Sequence, residues 1–250
     1  MIEHRSPVVY RLVTRQIHGV IAVNSALLDW SRSELGVPRH RSWLLENFVS
    51  DANVEGPPVE LPGRRGCRIA CVANLRPQKD HVTLLRAMRV VCAEMPSAHL
   101  LLVGGCQDED HRRHLANQIS DRGLSGNVSL LGERTDVPAI LRNCDVGVLS
   151  STWEGLPLVL LEYGMAGLAV VSTDVGDCRQ VLDHGSAGTL VPAGGPRELG
   201  EGVLSLLRSS HERTRVGELL RARVRERYSA ESSIGRVCEI YRAVMEEERG

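Results

Sequence analysis

The feature that most constrains this chain is a regular alternation that begins near residue 67. Short apolar runs of strand length fall at 67–73, 99–103, 127–131, 145–149, 168–172 and 189–191. Segments of helical length follow them at 80–94, 108–121, 137–143, from 157, at 177–182 and at 195–208. A run such as Asp145-Val146-Gly147-Val148-Leu149-Ser150 reads as a short buried strand. Strands that alternate with helices stack in parallel, with helices on both faces. The predicted class is therefore α/β, a doubly wound, Rossmann-like parallel sheet. Ligands of such sheets bind at the carboxyl ends of the strands. The loops that follow each strand are where function has to be sought.

Ahead of the alternation, Gly19–Val23 reads as a strand, Ser25 as the cap of a helix reaching Leu35, and Trp43–Leu45 as a second strand. Residues 51–66 are rich in proline, glycine and charge and are expected to form a linker. Two further helices are expected at 211–227 and 230–247. The resulting division is 1–50, a linker over 51–66, a main domain over 67–228, and a terminal helix in 229–250.

Composition removes several classes. With a net charge of −1, one Phe, three Trp and four Tyr, the chain has neither the charge nor the stacking surface for nucleic acid. Seven cysteines occur without any CxxC pair, which suits reduced thiols rather than a disulfide framework. Met1-Ile2-Glu3-His4-Arg5 lacks an apolar signal core, and the longest apolar run, Pro157–Val171, is interrupted by Glu162. A cytoplasmic location is expected, with peripheral contact to the inner face of a membrane left open. The arginine-rich stretch 208–227 fits either anionic lipid or a solvated helix, and its interspersed glutamates favour the second. Asp108 to His114 contains metal-ligand residue types but reads as a solvated helix start. No metal and no cofactor is expected; HExxH, GxGxxG, Walker A and GxSxG patterns are absent.

Four loops carry the candidates. After the strand at 67–73 comes Asn74-Leu75-Arg76-Pro77-Gln78-Lys79-Asp80, where Lys79 is the only lysine of the chain. Gly104 and Gly105 follow the next strand and permit close backbone approach. Gly132-Glu133-Arg134-Thr135-Asp136 comes third, with Thr135 or Asp136 as a helix cap. The fourth loop is Ser151-Thr152-Trp153-Glu154-Gly155-Leu156-Pro157-Leu158, with Pro157 at the first helical position and Glu162 inside the helix. Open amides at that helix start favour anions, above all phosphates. Glu154 suits a hydroxylated, uncharged group, and Glu162 has two acceptor oxygens for paired hydroxyls. A fifth turn, Thr173–Asp177, follows the next strand.

Glu154-x7-Glu162, together with these loops in order, resembles the donor-binding half of the family 4 retaining glycosyltransferases, the glycosyl transferases group 1 type of GT-B architecture. The resemblance is strong over about 66–195. It implies a nucleotide-diphosphate sugar as donor and transfer of a hexose, without a metal, to an unknown sugar, lipid-linked or small-molecule acceptor. Lys79, with Arg76, would contact the diphosphate, since Asn74 stands where the family usually has arginine. Glu154 would meet the donor sugar. The backbone around Gly155, Leu156, Pro157 and Leu158 would face phosphate and sugar. Glu162 would hold the ribose, and Arg134 with Gly132 and Thr135 would border the base.

The family also carries an acceptor domain, of which residues 1–50 resemble only the end. Its Gly-rich loop and histidine have no counterpart here. A helix over Ser232–Glu248 resembles the one that crosses back to that domain, with Ile234, Val237, Ile240, Tyr241 and Val244 on its apolar face. Alternative readings are a non-catalytic module completed by a partner chain, and a sugar-nucleotide epimerase of the same architecture.

Overall fold

The computed structural model describes residues 16–50 and 59–247. The expected linker is outside the described residues over 51–58, as are residues 1–15 and the last three. The chain divides into two compact units, one from Val49 to Glu226, the other comprising the residues up to Phe48 and those from Arg227.

The larger unit holds a parallel sheet of β3 (Arg68–Val72), β4 (His99–Val103), β5 (Val128–Gly132), β6 (Val146–Leu149), β7 (Ala169–Thr173) and β8 (Thr189–Val191). Its order is β5-β4-β3-β6-β7-β8. Every neighbouring pair in it is parallel. The chain thus lays strands to one side of β3, then returns and lays the rest to the other. The crevice at this reversal opens between the carboxyl ends of β3 and β6.

Both faces of the sheet are covered, which is why the strand runs have no polar face. Leu100 and Leu102 join a core with Leu84, Leu85 and Met88 of α2 (His81–Glu94) and Leu199, Val203 and Leu207 of α7 (Pro196–Arg208). Leu101 and Val103 point the other way, onto Ile140 of α4 (Val137–Arg142) and Leu61. Leu61 shows that the end of the expected linker is docked: the Arg68 guanidinium donates to the carbonyls of Leu61, Pro62 and Gly63.

Tyr163 fixes α5 (Leu158–Ala166) to the sheet. Its side chain is wholly buried and its ring lies over Gly147 of β6. The phenol oxygen accepts from the Val72 amide at 2.9 Å, with the carbonyls of Ala70 and Val148 each 3.2 Å away to take its proton. β3 and β6 share a register of only Ile69↔Val146 and Ala70↔Gly147, so the phenol satisfies groups beyond the reach of the ladder.

In the smaller unit β1 (Val20–Ala22) pairs in parallel with β2 (Ser42–Leu44), and α1 (Ser25–Ser33) joins them. The cap of α1 is Asn24, which accepts from Leu27 N, and Ser25 is already helical. Arg227 is paired with Glu46. On α9 (Ala230–Glu247) Ile240 is buried while Ile234 and Tyr241 are exposed, so the expected apolar face is only partly open.

The arginine-rich helix α8 (Ser210–Arg227) serves the fold. Arg213 donates to the carbonyls of Leu206 and Leu207 at the end of α7, and Arg223 to those of Gln180 and Val181. Arg215 is paired with Glu212. Among the described residues no helix is long and apolar enough to cross a membrane.

Candidate functional site

The loops after β3 and β6 face each other at the reversal of the sheet, and their backbones are pinned together. After β3 the chain makes a 3₁₀ turn over Pro77–Lys79 and then kinks at Asp80, whose φ is 44°. Aspartate tolerates this left-handed conformation better than most residues. From there its carboxylate caps α2 by accepting from Thr83 N. The tight turn exposes the carbonyls of Gln78 and Lys79. Thr152 N donates to Gln78 O at 2.8 Å, and Ser150 Oγ to Lys79 O at 2.7 Å.

Lys79 Nζ lies 2.6 Å from Glu154 Oε1, which also accepts from the buried Ser151 hydroxyl at 2.6 Å. The carboxylate is 9% exposed and the ammonium 19%, so the pair is shielded from bulk water. Thr173 Oγ1 donates to Ser151 O at 2.7 Å and Asp177 N to Gly155 O, which ties in the loop after β7. Gly176 has φ 53°, and a Cβ there would lie 2.2 Å from Glu154 O. Sequence reasoning assigned no role to Ser150, Ser151 or Thr173. The available signal was hydroxyls directly after two adjacent core strands.

Gly155 and Leu156 are half-buried and Leu158 is exposed at the start of α5. Pro157 is the N-cap rather than a helical residue, with φ −77° and ψ 97°. Proline carries no N–H, so at this position it adds no donor to the amides that the first turn leaves open.

Arg76 does not take part in the Lys79–Glu154 contact. Arg76 is exposed and lines a cavity of about 320 Å³ with Asn74, Gly105, Asp108, His111 and Glu133. Gly104 and Gly132 border an adjoining cavity. Gly104 has φ 154°, and a Cβ there would come within 2.1 Å of Ala73 O, so the close approach is between strands' ends. Asp108 caps α3 (Glu109–Asp121) by accepting from Asp110 N and His111 N. Among the described residues there is no group of three or more side chains suited to a metal.

The third loop differs from its expectation. Asp136 occupies the N-cap of α4 without a side-chain capping bond. Both its oxygens accept from Arg134, at 2.7 and 2.6 Å. This hydrogen bonding to Arg134 holds the Asp136 carboxyl below its ordinary value. Thr135 is exposed.

Glu162 opens on a separate groove between α4 and α5, lined by Val137, Pro138, Leu141, Arg142 and Met165. Water reaches the carboxylate, yet protein surrounds it closely enough that desolvation raises its pKa. His81, first in α2, is a buried residue that sequence reasoning missed. Among the described residues neither ring nitrogen has a partner. Burial, with lesser contributions from His111 and Lys79 against Asp80, lowers its pKa to about 4.

A model of the family "Glycosyl transferases group 1" matches residues 65–223. The chain belongs to this family. Among curated group 1 relatives, it is 29% identical over 247 residues to the phosphatidyl-myo-inositol mannosyltransferase of Mycobacterium tuberculosis (strain CDC 1551 / Oshkosh), covering 94% of this chain and 62% of that protein. It is 32% identical over 135 residues to the UDP-Gal:alpha-D-GlcNAc-diphosphoundecaprenol alpha-1,3-galactosyltransferase of Escherichia coli, covering 52% of this chain and 34% of the relative. The crystal structure of Anabaena Alr3699/HepE in complex with UDP and glucose superposes with a TM-score of 0.81 at 20% identity, covering 97% of this chain and 69% of that one. That likeness establishes the GT-B fold. The group 1 chain described here therefore spans less than two thirds of the mannosyltransferase it matches.

Proposed function

We propose that the mouth between β3 and β6 binds a nucleotide-diphosphate sugar, and that the chain is the donor half of a glycosyltransferase that moves a hexose to a hydroxylated acceptor with retention. The observation that carries this reading is the Lys79–Glu154 pair at the reversal of the sheet. An ammonium has three donors and Glu154 takes one, which leaves two for a diphosphate. Glu154 keeps an oxygen for sugar hydroxyls. As the sugar–phosphate bond breaks, negative charge grows on the leaving diphosphate. Lys79 and the open amides of α5 are fixed beforehand to receive it, in the role a metal plays elsewhere. Arg76 supplies a second cation from the adjoining cavity, and Glu162 accepts from the ribose hydroxyls. The names of the two relatives speak for a sugar or lipid-linked acceptor reached at a membrane surface.

Calorimetry with UDP-, GDP- and ADP-sugars tests the reading, with Lys79→Ala and Glu162→Ala as controls. Micromolar to millimolar binding that both changes weaken is the expected result. Indifference to all donors, or to both substitutions, refutes it.

A second reading is binding without turnover until a partner chain supplies acceptor contacts. Turnover by the purified chain alone would exclude it. The relatives named above are transferases, so the epimerase reading gains no support.

A further inference from the structure

Away from the mouth, α2 and the end of α3 flank an open concavity of about 490 Å³, lined by Arg86, Arg89, Val90 and Arg122. No acidic side chain lines it. Arg86 and Arg89 are exposed and stand one turn apart on α2. Like charges at that spacing destabilise a helix. Elsewhere on the surface such charge is compensated locally: Arg112, Arg197 and Arg215 each pair with a glutamate one turn away. On α2 the positions one turn from Arg86 and Arg89 hold Val82, Thr83, Leu85, Val90, Cys92 and Ala93. The one carboxylate of that helix, Glu94, is paired with Arg208. Among the described residues neither Arg86 nor Arg89 has a hydrogen-bond or ion-pair partner.

Arg122 follows α3 directly and is anchored there. Its Nη1 donates to the carbonyl and the side-chain oxygen of Gln118, at 3.2 and 2.5 Å. The remaining N–H groups of its guanidinium stay available. Three guanidinium groups around one concavity repel each other until an anion sits between them. Their planar forks match the oxygens of a phosphoryl group two at a time. Val90 is the one apolar wall, so the concavity suits a charged head rather than the face of a ring. We propose that Arg86, Arg89 and Arg122 form a binding site for a phosphoryl group, carried by an anionic lipid headgroup or by a soluble phosphate. The site shares no residue with the donor mouth and does not rest on the reading of that mouth.

The test is calorimetry of the full 250-residue chain with inorganic pyrophosphate at constant ionic strength. Wild type is compared with Arg86→Gln/Arg89→Gln. Pyrophosphate bound at the mouth is common to both proteins, so the difference between them reads this site. The double change is expected to weaken that binding about tenfold or more. Arg64→Gln/Arg242→Gln removes the same charge from exposed positions outside the concavity and should bind as the wild type does. Without anion, Arg86→Gln/Arg89→Gln should melt no lower than the wild type, because it sheds a like-charge pair. Should it fail to fold, Arg122→Gln carries the same comparison. Flotation with vesicles of phosphatidylcholine, with and without phosphatidylglycerol, separates the two sources. Flotation that requires phosphatidylglycerol and is lost in Arg86→Gln/Arg89→Gln assigns the lipid headgroup. Pyrophosphate binding without flotation assigns a soluble phosphate. Equal loss in the two double variants reduces the effect to general charge and overturns the proposal. Equal affinity in all three proteins overturns it as well, as does a wild type that binds neither pyrophosphate nor phosphatidylglycerol vesicles.

Discussion

Lys79 and Glu154 stand 75 positions apart in the chain and meet at 2.6 Å across the two loops where the sheet reverses its strand order. The pair is more shielded than a surface ion pair and less so than a core one. Removing Lys79 leaves Glu154 with the Ser151 hydroxyl as its side-chain partner. Lys79→Ala is therefore expected to cost about 2 kcal/mol, between the surface and buried ranges. The double change Lys79→Met with Glu154→Gln should cost less than the sum of the single ones. Urea unfolding of the four proteins measures the coupling, and strict additivity would show that the pair contributes nothing.

Tyr163 predicts a separate stability effect. Tyr163→Phe preserves the ring over Gly147 and removes the acceptor of Val72 N. The orphaned amide should cost about 1–3 kcal/mol. Amide hydrogen exchange at Val72 should speed up more than at Leu101, on the neighbouring strand. Equal protection at both positions would contradict the role assigned to the phenol.

His81 makes stability depend on pH. Its pKa falls from an ordinary 6.5 to about 4 because burial disfavours the cation. The unfolded chain then binds the proton that the folded chain refuses. Stability from this group is complete above pH 6.5, declines as pH falls, and is lost below about 4. The span corresponds to about 3 kcal/mol. Urea unfolding at several pH values should show a shallower slope over this window for His81→Gln than for the wild type. Parallel slopes would mean that the ring is not excluded from water.

Much of the fold was legible because it depends on local rules. Continuous apolar runs marked strands with both faces covered, and the alternation set parallel pairing. His81 too was readable: it shares a helical face with Leu84, Leu85, Met88 and Val91, all buried, at three- and four-residue spacings. Its polar neighbour Asp80 disguised it. The start of α1 was ambiguous because Asn24 and Ser25 are both good caps, and one residue decides the phase. What local rules do not reach is partnership across loops. Lys79 and Glu154 were each singled out, but their pairing depends on β6 lying beside β3 rather than beside β5. The Ser151 and Thr173 hydroxyl bonds depend on the same order. Arg134 was read as facing a ligand, while a two-residue reach to Asp136 satisfies it first.

Gly176 is the narrowest part of the site. Its φ of 53° already disfavours other residues, and a Cβ would press on Glu154 O at 2.2 Å. Gly176→Ala should therefore push the two loops apart, cost about 1–3 kcal/mol, and weaken donor binding through the displaced Glu154. Unchanged melting and unchanged donor affinity would show that the contact relaxes freely.

Glu162 should separate stability from binding. Its carboxyl pKa is raised because protein crowds the charge without pairing it. A carboxyl whose folded pKa lies above its unfolded value opposes folding once pH exceeds the unfolded value. At neutral pH Glu162→Gln removes that opposition, so its melting temperature should equal or exceed that of the wild type. The amide retains one acceptor and loses the charge-assisted bonds to ribose hydroxyls, so donor affinity should fall about tenfold. Thermal unfolding and calorimetry on the same sample read both quantities. A Glu162→Gln protein that melts lower while binding donor unchanged would make this side chain a structural strut and take the ribose role away from it.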